Sequence, residues 1–419
     1  MGTHPLIFIR ADGNRQIASG HLVRCLSIAQ ACHSLGMEVR FLVCGGESLR
    51  LLEELIKENK CEFLKVTALK TAVYDQPQRE IAEVTALLRA HARAGAPNPL
   101  SGATRSSDLP GEVTYLREIV YLLDSYYVTE DYLSAIRPLA RVAYLDDLQL
   151  FDYPVDLLVN YDVIPQDELA SYRSAYRNAD RLLLGACFAP LRTQFQNRTM
   201  PVRKQAENIL ITTGAGDGGH LCLSLARRFL RDMQDNPTEE PAKYADIRPR
   251  PHFGGGPGRR RNPFPTVHMV IGKLNDDRDE LCLLAGQIPF LCLHENVSDM
   301  AGLMQACDLA VSAAGTTLYE LCALGVPAVS FTMADNQLTA ARAFADAGAI
   351  PCAGDIRGNS GKVIEEILLF VTEMSELCFD CVPAAPASCL VPRKAARQAM
   401  IRLTDGTGAM KIAQALWKL

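Results

Sequence analysis

Short apolar runs that read as strands alternate with helical stretches along this chain, and the alternation occurs twice. "LIFIRA" at 6–11 leads to a helix from about Gly20 to Leu35, then "EVRFLVC", then a helix over "LRLLEELIKEN". "EIVYLLD", a helix near "EDYLSAIRP", "RVAYLDD" and "DLLVN" continue the pattern. This order predicts a parallel sheet with helices on both faces, because a parallel neighbour is reached through a crossover helix. In the first helix Leu22, Cys25, Leu26, Ala29 and Cys32 recur at steps of three and four and form one apolar stripe, with His21, Arg24 and Ile28 off it.

After a charged stretch the series restarts with "NILITTGAGDGGH" and runs on through "TVHMVIG", "FLCLHE", "LAVSAAG" and "PAVSF" to a final helix, "GAMKIAQALWKL". A boundary near 192–208 therefore divides the chain into two α/β domains, 1–200 and 201–419. A chain of 419 residues with 48% apolar content is also too long for one ordinary core. Two Gly/Pro-rich stretches without period, near 92–111 and near 236–264, read as flexible insertions; the second contains Arg259, Arg260 and Arg261, a short basic patch of the kind common in solvated linkers. Doubly wound sheets bind ligands beyond the carboxyl ends of their strands, so a site in a cleft between two of them is expected.

The net charge of -5 argues against a generic nucleic-acid or membrane-surface binder and favours a small-molecule partner. No apolar run reaches the roughly 18 to 20 residues of a membrane span, and "MGTHPLIFIR" lacks a basic leader, so a cytoplasmic location is expected. The 14 cysteines are scattered, and Cys25, Cys44, Cys292 and Cys322 sit inside apolar runs as core thiols. Cys378 and Cys381, followed by Cys389, have metal-like spacing, but a single CxxC supplies half of a usual zinc site, and no metal is expected.

A glycine turn between a strand end and a helix start occurs in "RADGNRQIASGH", "TTGAGDGGH" and "SAAGTTLYE". Free amides at a helix start favour anions, and glycine lets a phosphate approach them, yet none of the three is a Walker A or a clean GxGxxG motif. In the third, Glu320 falls about one turn inside a helix, and Asn336 with Gln337 opens the next. A carboxylate there suits ribose hydroxyls and the paired amides suit a polar sugar. Glutamate in a first turn is also what the helix dipole alone favours.

These residues resemble the nucleotide-sugar half of the two-domain GT-B glycosyltransferase fold, in which two Rossmann-like domains face a central cleft. "RADGNRQIASGHLVRCLSIA", "LLDSYYV", "AYLDDL", "LLLGACFAPLRTQF", "SAAGTTLYELCALGVPAVS", "NQ" and "DGTGAMKIAQAL" together resemble the PseG family of UDP-sugar hydrolases of pseudaminic acid biosynthesis. They span nearly the whole chain in the family's order. The resemblance implies hydrolysis of UDP-2,4-diacetamido-2,4,6-trideoxy-β-L-altropyranose by water attack at the anomeric carbon with inversion, without metal or other cofactor. His21 would be the general base; a helix start disfavours an imidazolium and so favours the proton-accepting form. Tyr126 would reach the sugar or water, and Asp12 would orient His21 or a sugar hydroxyl. Ser19, Gly20 and Arg24 would contact substrate from the first domain. From the second, Gly315, Thr316 and Thr317 would contact phosphate, Glu320 the ribose, Val297 and Met300 the uracil, and Asn336 and Gln337 the sugar and phosphates. "TTGAGDGGH" departs from the family's two glycines followed by Asp or Ser, and Gly214 and Asp217 are its candidate phosphate contacts. An inverting glycosyltransferase and a sugar-nucleotide-binding protein without turnover are the alternative readings. Oligomeric state has no signal in the sequence.

Overall fold

The computed structural model describes residues 5–14, 17, 19–72, 76–94, 119–204, 206–214, 216–235, 265–375 and 390–419. Cys378, Cys381, Cys389 and the stretch 236–264 lie outside the described residues; so does 92–111, apart from 92–94, which end a helix. The chain divides into two compact units, Met1–Thr193 with Thr407–Leu419, and Gln194–Gly406.

The first unit runs β1 (Leu6–Ala11), α1 (Gly20–Ser34), β2 (Glu38–Cys44), α2 (Glu47–Glu58), β3 (Lys65–Leu69), α3 (Pro77–Ala94), β4 (Ile119–Asp124), α4 (Glu130–Ile136), β5 (Arg141–Leu145), β6 (Leu157–Asn160), α5 (Leu169–Ala175) and β7 (Leu182–Leu184). All strand pairs are parallel, in the order β3-β2-β1-β4-β5-β6-β7. β4 is buried throughout and β1 from its second residue on, which is why both read as mainly apolar runs, broken only by Arg10 in β1 and closed by Asp124 in β4. Their register pairs Ala11 with Asp124. The strand order reverses between β1 and β4, and a ligand crevice forms at such a reversal because the two crossovers leave in opposite directions.

The second unit repeats the winding with β8 (Asn208–Thr212), α6 (Leu221–Asp235), β9 (Thr266–Ile271), α7 (Arg278–Ala285), β10 (Leu291–Glu295), α8 (Met300–Ala306), β11 (Leu309–Ala313), α9 (Thr317–Leu324), β12 (Ala328–Thr332), α10 (Leu338–Asp346), β13 (Cys352–Asp355), α11 (Ser360–Ser375) and α12 (Leu390–Leu403). Its parallel sheet has the order β10-β9-β8-β11-β12-β13, so β8 and β11 flank the reversal. Each unit is a doubly wound, Rossmann-like α/β layer structure.

The last helix, α13 (Gly408–Trp417), corrects the division at 201–419. It packs on α1, and Ala409, Ile412, Ala413 and Leu416 share one apolar cluster with Leu22, Cys25, Ile28 and Cys32. That partner also corrects the single stripe expected for α1: His21, Arg24 and Ile28 are buried as well, because α1 has sheet on one side and α13 on another. Two glycines make the return possible. Gly406 has φ +80°, and a Cβ there would lie 2.5 Å from the Phe195 carbonyl oxygen; at Gly408 it would collide with the backbone of Phe188 and Ala189.

On the β8-β9-β10 side of the second sheet, His268 Nδ1 lies 3.0 Å from His294 Nε2, and its Nε2 lies 3.2 Å from Asn208 Oδ1. If His268 Nε2–H donates to Asn208, Nδ1 accepts from His294, and the added proton of an imidazolium would face another N–H. Burial first, and then His294, push His268 down to about 4.

Two outcomes follow from this packing. Gly408→Val is expected to destabilise the first unit by about 1–3 kcal/mol, the usual cost of forced overpacking, read as a lower denaturant midpoint. Because His268 binds its proton more weakly folded than unfolded, its contribution is complete above about pH 6.5 and is lost as pH falls from there towards 4. After discounting for partial solvent contact this is about 1 kcal/mol, and His268→Gln should flatten the fall in Tm on acidification over that window.

Candidate active site

In the first unit the carboxyl ends of β1, β4, β5 and β6 gather a connected polar group. His21 is the second residue of α1, and its Nδ1 lies 2.6 Å from Oδ1 of Asp124, the last residue of β4. Arg24, one turn further along α1, donates Nε to Asp124 Oδ2 at 2.6 Å and Nη2 to Oδ1 at 2.5 Å. Its Nη1 donates to Asp147 Oδ2 at 3.1 Å and to the Tyr161 hydroxyl. The Tyr126 hydroxyl donates to the same Asp147 oxygen at 3.2 Å, while its ring meets the His21 ring edge to face, with centroids 4.5 Å apart.

This geometry selects a tautomer. Burial alone would push the Asp124 carboxyl up, but Arg24 and His21 together hold it well below the usual carboxylate range, so it is an anion and only accepts. A bare Nδ1 lone pair facing it at 2.6 Å would be repelled, so Nδ1 carries a proton, and in the neutral ring the lone pair is on Nε2. Arg24 Nη2 lies 2.9 Å from Nδ1 because both groups converge on Asp124 Oδ1. Nε2 makes no hydrogen bond to a described residue, and His21 retains 4% exposure. In its neutral form the ring therefore presents Nε2 as the accepting atom.

Two first-unit expectations change. Asp12 does not orient His21; its Oδ1 accepts from the Cys44 amide at 2.7 Å and its Oδ2 pairs with Arg10 at 2.6 Å. Arg10 in turn grips Glu80 with two bonds of 2.9 Å, and this buried group ties β1 to α3. Arg24 is likewise committed internally, since Asp124, Asp147 and Tyr161 take its donors, which leaves it poorly placed as an anion ligand. Ser19 and Gly20 stand at the start of α1, where the Ser19 side chain makes no capping hydrogen bond. The surroundings are acid-rich: burial, then Asp147, push Asp162 up to about 6, and burial raises Asp146 above the ordinary carboxylate range.

In the second unit the turns after β8, β11 and β12 are neighbours, because those strands are adjacent. Gly315 and Thr316 are exposed ahead of α9, and Thr317, its first residue, is half-buried. The Thr316 side chain does not cap α9, and the Leu318 and Tyr319 amides turn back to the Gly315 and Thr316 carbonyls at 3.0 and 3.1 Å, so among the described residues the Thr316 and Thr317 amides are the ones left without a backbone partner and placed to meet an anion. Glu320 is 8% exposed on the same turn. Asn336 is exposed in the short turn after β12, and Gln337 Oε1 accepts from the Met333 amide at 2.9 Å, which fixes that turn. Val297 is half-buried before α8 and Met300 begins it; α8 packs on α9, which brings this pair towards the same end of the sheet.

Asp217 is the exception. Its two oxygens accept from the Leu221 and Cys222 amides at 3.0 and 2.8 Å, so it caps α6 and fills the place a phosphate would take. Gly214 supplies φ +85° to the preceding turn. The sequence reading assigned no role to Asp124, Asp147 or Tyr161, although "LLDSYYV" and "AYLDDL" contain the two acids. The available signal was position: an aspartate closing an apolar parallel strand faces the ligand edge. Among the described residues no group of three or more His, Cys, Asp or Glu is arranged to hold a metal ion, and no helix is long and apolar enough to cross a membrane.

Comparison with solved structures gives the class: the chain has the GT-B glycosyltransferase fold. MurG of Acinetobacter baumannii matches with a TM-score of 0.56 at 13% identity, covering 99% of this chain and 100% of that one. A Polygonum tinctorium UDP-glucosyltransferase capable of glucosylating indoxyl matches at 0.59 and 10% identity, covering 100% and 99%. A putative UDP-N-acetylglucosamine 2-epimerase of Listeria monocytogenes matches at 0.53 and 12%, covering 99% and 96%. In sequence, the chain is similar to the spore coat polysaccharide biosynthesis protein SpsG of Bacillus subtilis (strain 168), 24% identical over 176 residues, and the match spans 42% of each protein. No family profile matches the chain.

The cap on α6 separates binding from stability. Asp217→Ala is expected to cost the second unit about 1 kcal/mol, seen as a lower Tm, with UDP affinity by calorimetry unchanged. A loss of UDP affinity at unchanged Tm would return Asp217 to the ligand contacts.

Proposed function

We propose that the protein hydrolyses a UDP-sugar, with His21 as the general base for water and UDP as the leaving group. The observation that carries this reading is the 2.6 Å contact of His21 Nδ1 with the buried Asp124 carboxylate, which leaves Nε2 as acceptor. Nε2 takes a proton from water as the water oxygen bonds to the anomeric carbon. The bond from that carbon to the diphosphate oxygen breaks, its electrons leave with UDP, and the configuration inverts. Asp124 stabilises the imidazolium that forms. The Thr316 and Thr317 amides at the start of α9, beside Gly315, hold the diphosphate and its growing charge. Glu320 takes the ribose, Val297 and Met300 the uracil, and Asn336, Gln337 and Tyr126 the sugar. The resemblance to the PseG family supports UDP-2,4-diacetamido-2,4,6-trideoxy-β-L-altropyranose as the substrate and pseudaminic acid biosynthesis as the setting; similarity to a polysaccharide biosynthesis protein supports surface-sugar metabolism more broadly.

A second reading, an inverting glycosyltransferase, has its own support. Tyr127, Leu148 and Leu150 are 48%, 46% and 60% exposed just beyond β4 and β5, where an apolar acceptor could rest. Their neighbours include Asp146, Asp147 and Asp162, and the nearby Arg24 is already taken up by Asp124 and Asp147, which disfavours an anionic lipid-linked acceptor and leaves water or a neutral hydroxyl.

Incubation with the altrose-configured UDP-sugar should release UDP without any acceptor, followed by coupled assay and proton NMR of the freed sugar. His21→Asn and His21→Phe should lower kcat by at least ~10³-fold while UDP still binds. Release that requires an added acceptor would establish the transferase, and near-wild-type turnover in the His21 variants would remove the imidazole from the chemistry.

A further inference from the structure

The contacts around His21 form a closed circuit. His21 Nδ1 meets Asp124, Asp124 is clamped by Arg24, Arg24 Nη1 meets Asp147 Oδ2, that oxygen accepts from Tyr126, and the Tyr126 ring packs on the His21 ring. One atom, Asp147 Oδ2, joins the arm that sets the Nδ1 hydrogen bond to the arm that sets the ring's tilt. The hydrogen-bonded arm also poses an electrostatic problem. Arg24 neutralises Asp124, and its Nη2 stands 2.9 Å from His21 Nδ1, so an Asp124–Arg24 pair alone gives little help to a nearby positive charge. Asp147 lies on the other side of the guanidinium and returns a negative charge to the group.

We propose that Asp147 is a positioning residue for the reaction, holding Tyr126 and Arg24 at once so that the His21 ring keeps its tilt and its Asp124 bond, and offsetting the Arg24 charge when the imidazole is protonated. This rests on His21 as the base. The other charged or titratable groups facing the circuit are Asp146, Asp162, Tyr161 and the Cys25 thiol, which lies 3.4 Å from Asp124 Oδ2. Among the described residues only Asp147 contacts both arms. Its side chain is 23% exposed, so replacement by Asn preserves shape at a site that already meets solvent.

The test is a cycle of Asp147→Asn, Tyr126→Phe and the double variant, with UDP-release kinetics and NMR of ¹⁵N-histidine-labelled protein. Asp147→Asn is expected to lower kcat by ~10²-fold with little change in KM, Tyr126→Phe by ~10-fold, and the double variant by no more than Asp147→Asn alone, because the tyrosine hydroxyl acts through that carboxylate. Asp147→Glu should recover part of the loss. A double variant whose loss is the product of the two single losses overturns the proposal, as does a change confined to KM. The NMR arm does not depend on turnover. The low-field Nδ1–H signal of His21, assigned by its disappearance in His21→Asn, should broaden or move in Asp147→Asn. If the wild type releases no UDP the hydrolase reading fails while this signal still judges the circuit, and a signal unaltered in Asp147→Asn overturns it.

Discussion

A carboxylate buried at the end of a central strand organises the first unit's chemistry. Asp124 is 1% exposed, and an anion there is tolerable only because Arg24 meets both of its oxygens and His21 meets one. The same demand ties α1 to the end of β4 and fixes which imidazole nitrogen is free. Fold and chemistry meet in this interaction: the register that aligns Ala11 with Asp124 brings the start of α1 to the carboxylate, and the carboxylate then sets the proton-accepting atom. A shift of β4 by one residue would reverse the side of the sheet on which the acid emerges and disconnect both.

The two units share a strand order yet use their helix starts differently. α6 follows the first strand of its sheet and is closed by its own acid, Asp217, whereas α9, across the reversal, begins with small residues and no side-chain cap. Within the second unit the helix start without a cap from its own N-cap side chain is therefore α9, and Gly214, at φ +85°, serves the turn that precedes α6. α1 carries a histidine and an arginine where α6 carries a cap. Similar winding thus carries a buried imidazole at a helix start of one unit and a helix start without a side-chain cap in the other.

Much of the architecture was legible because buried parallel strands show as short, mainly apolar runs, as β1, β2, β4, β8, β11 and β12 do. The strands passed over, β3, β7 and β13, lie at sheet edges, are short, and have half-exposed residues such as Thr67 and Ala353 that blur any pattern. His21 was legible from its glycine-bounded helix start. Asp124 as its partner was not, because the pairing spans 103 residues and depends on strand order, which no local pattern encodes. For the same reason Asp12, closer in sequence, was the natural but incorrect choice, and the full burial of α1 was hidden until its distant helical partner was in place.

That partner has a consequence for how the protein is made. The face of α1 opposite its sheet is sealed by residues 408–417, so as the chain leaves the ribosome the first lobe must wait, with Leu22, Cys25 and Ile28 incompletely sheltered, while the whole second lobe is synthesised. The lobe translated first is therefore the one completed last. For that interval its greasy seam is a natural client surface for chaperones, and a stall late in translation would leave α1 half-dressed.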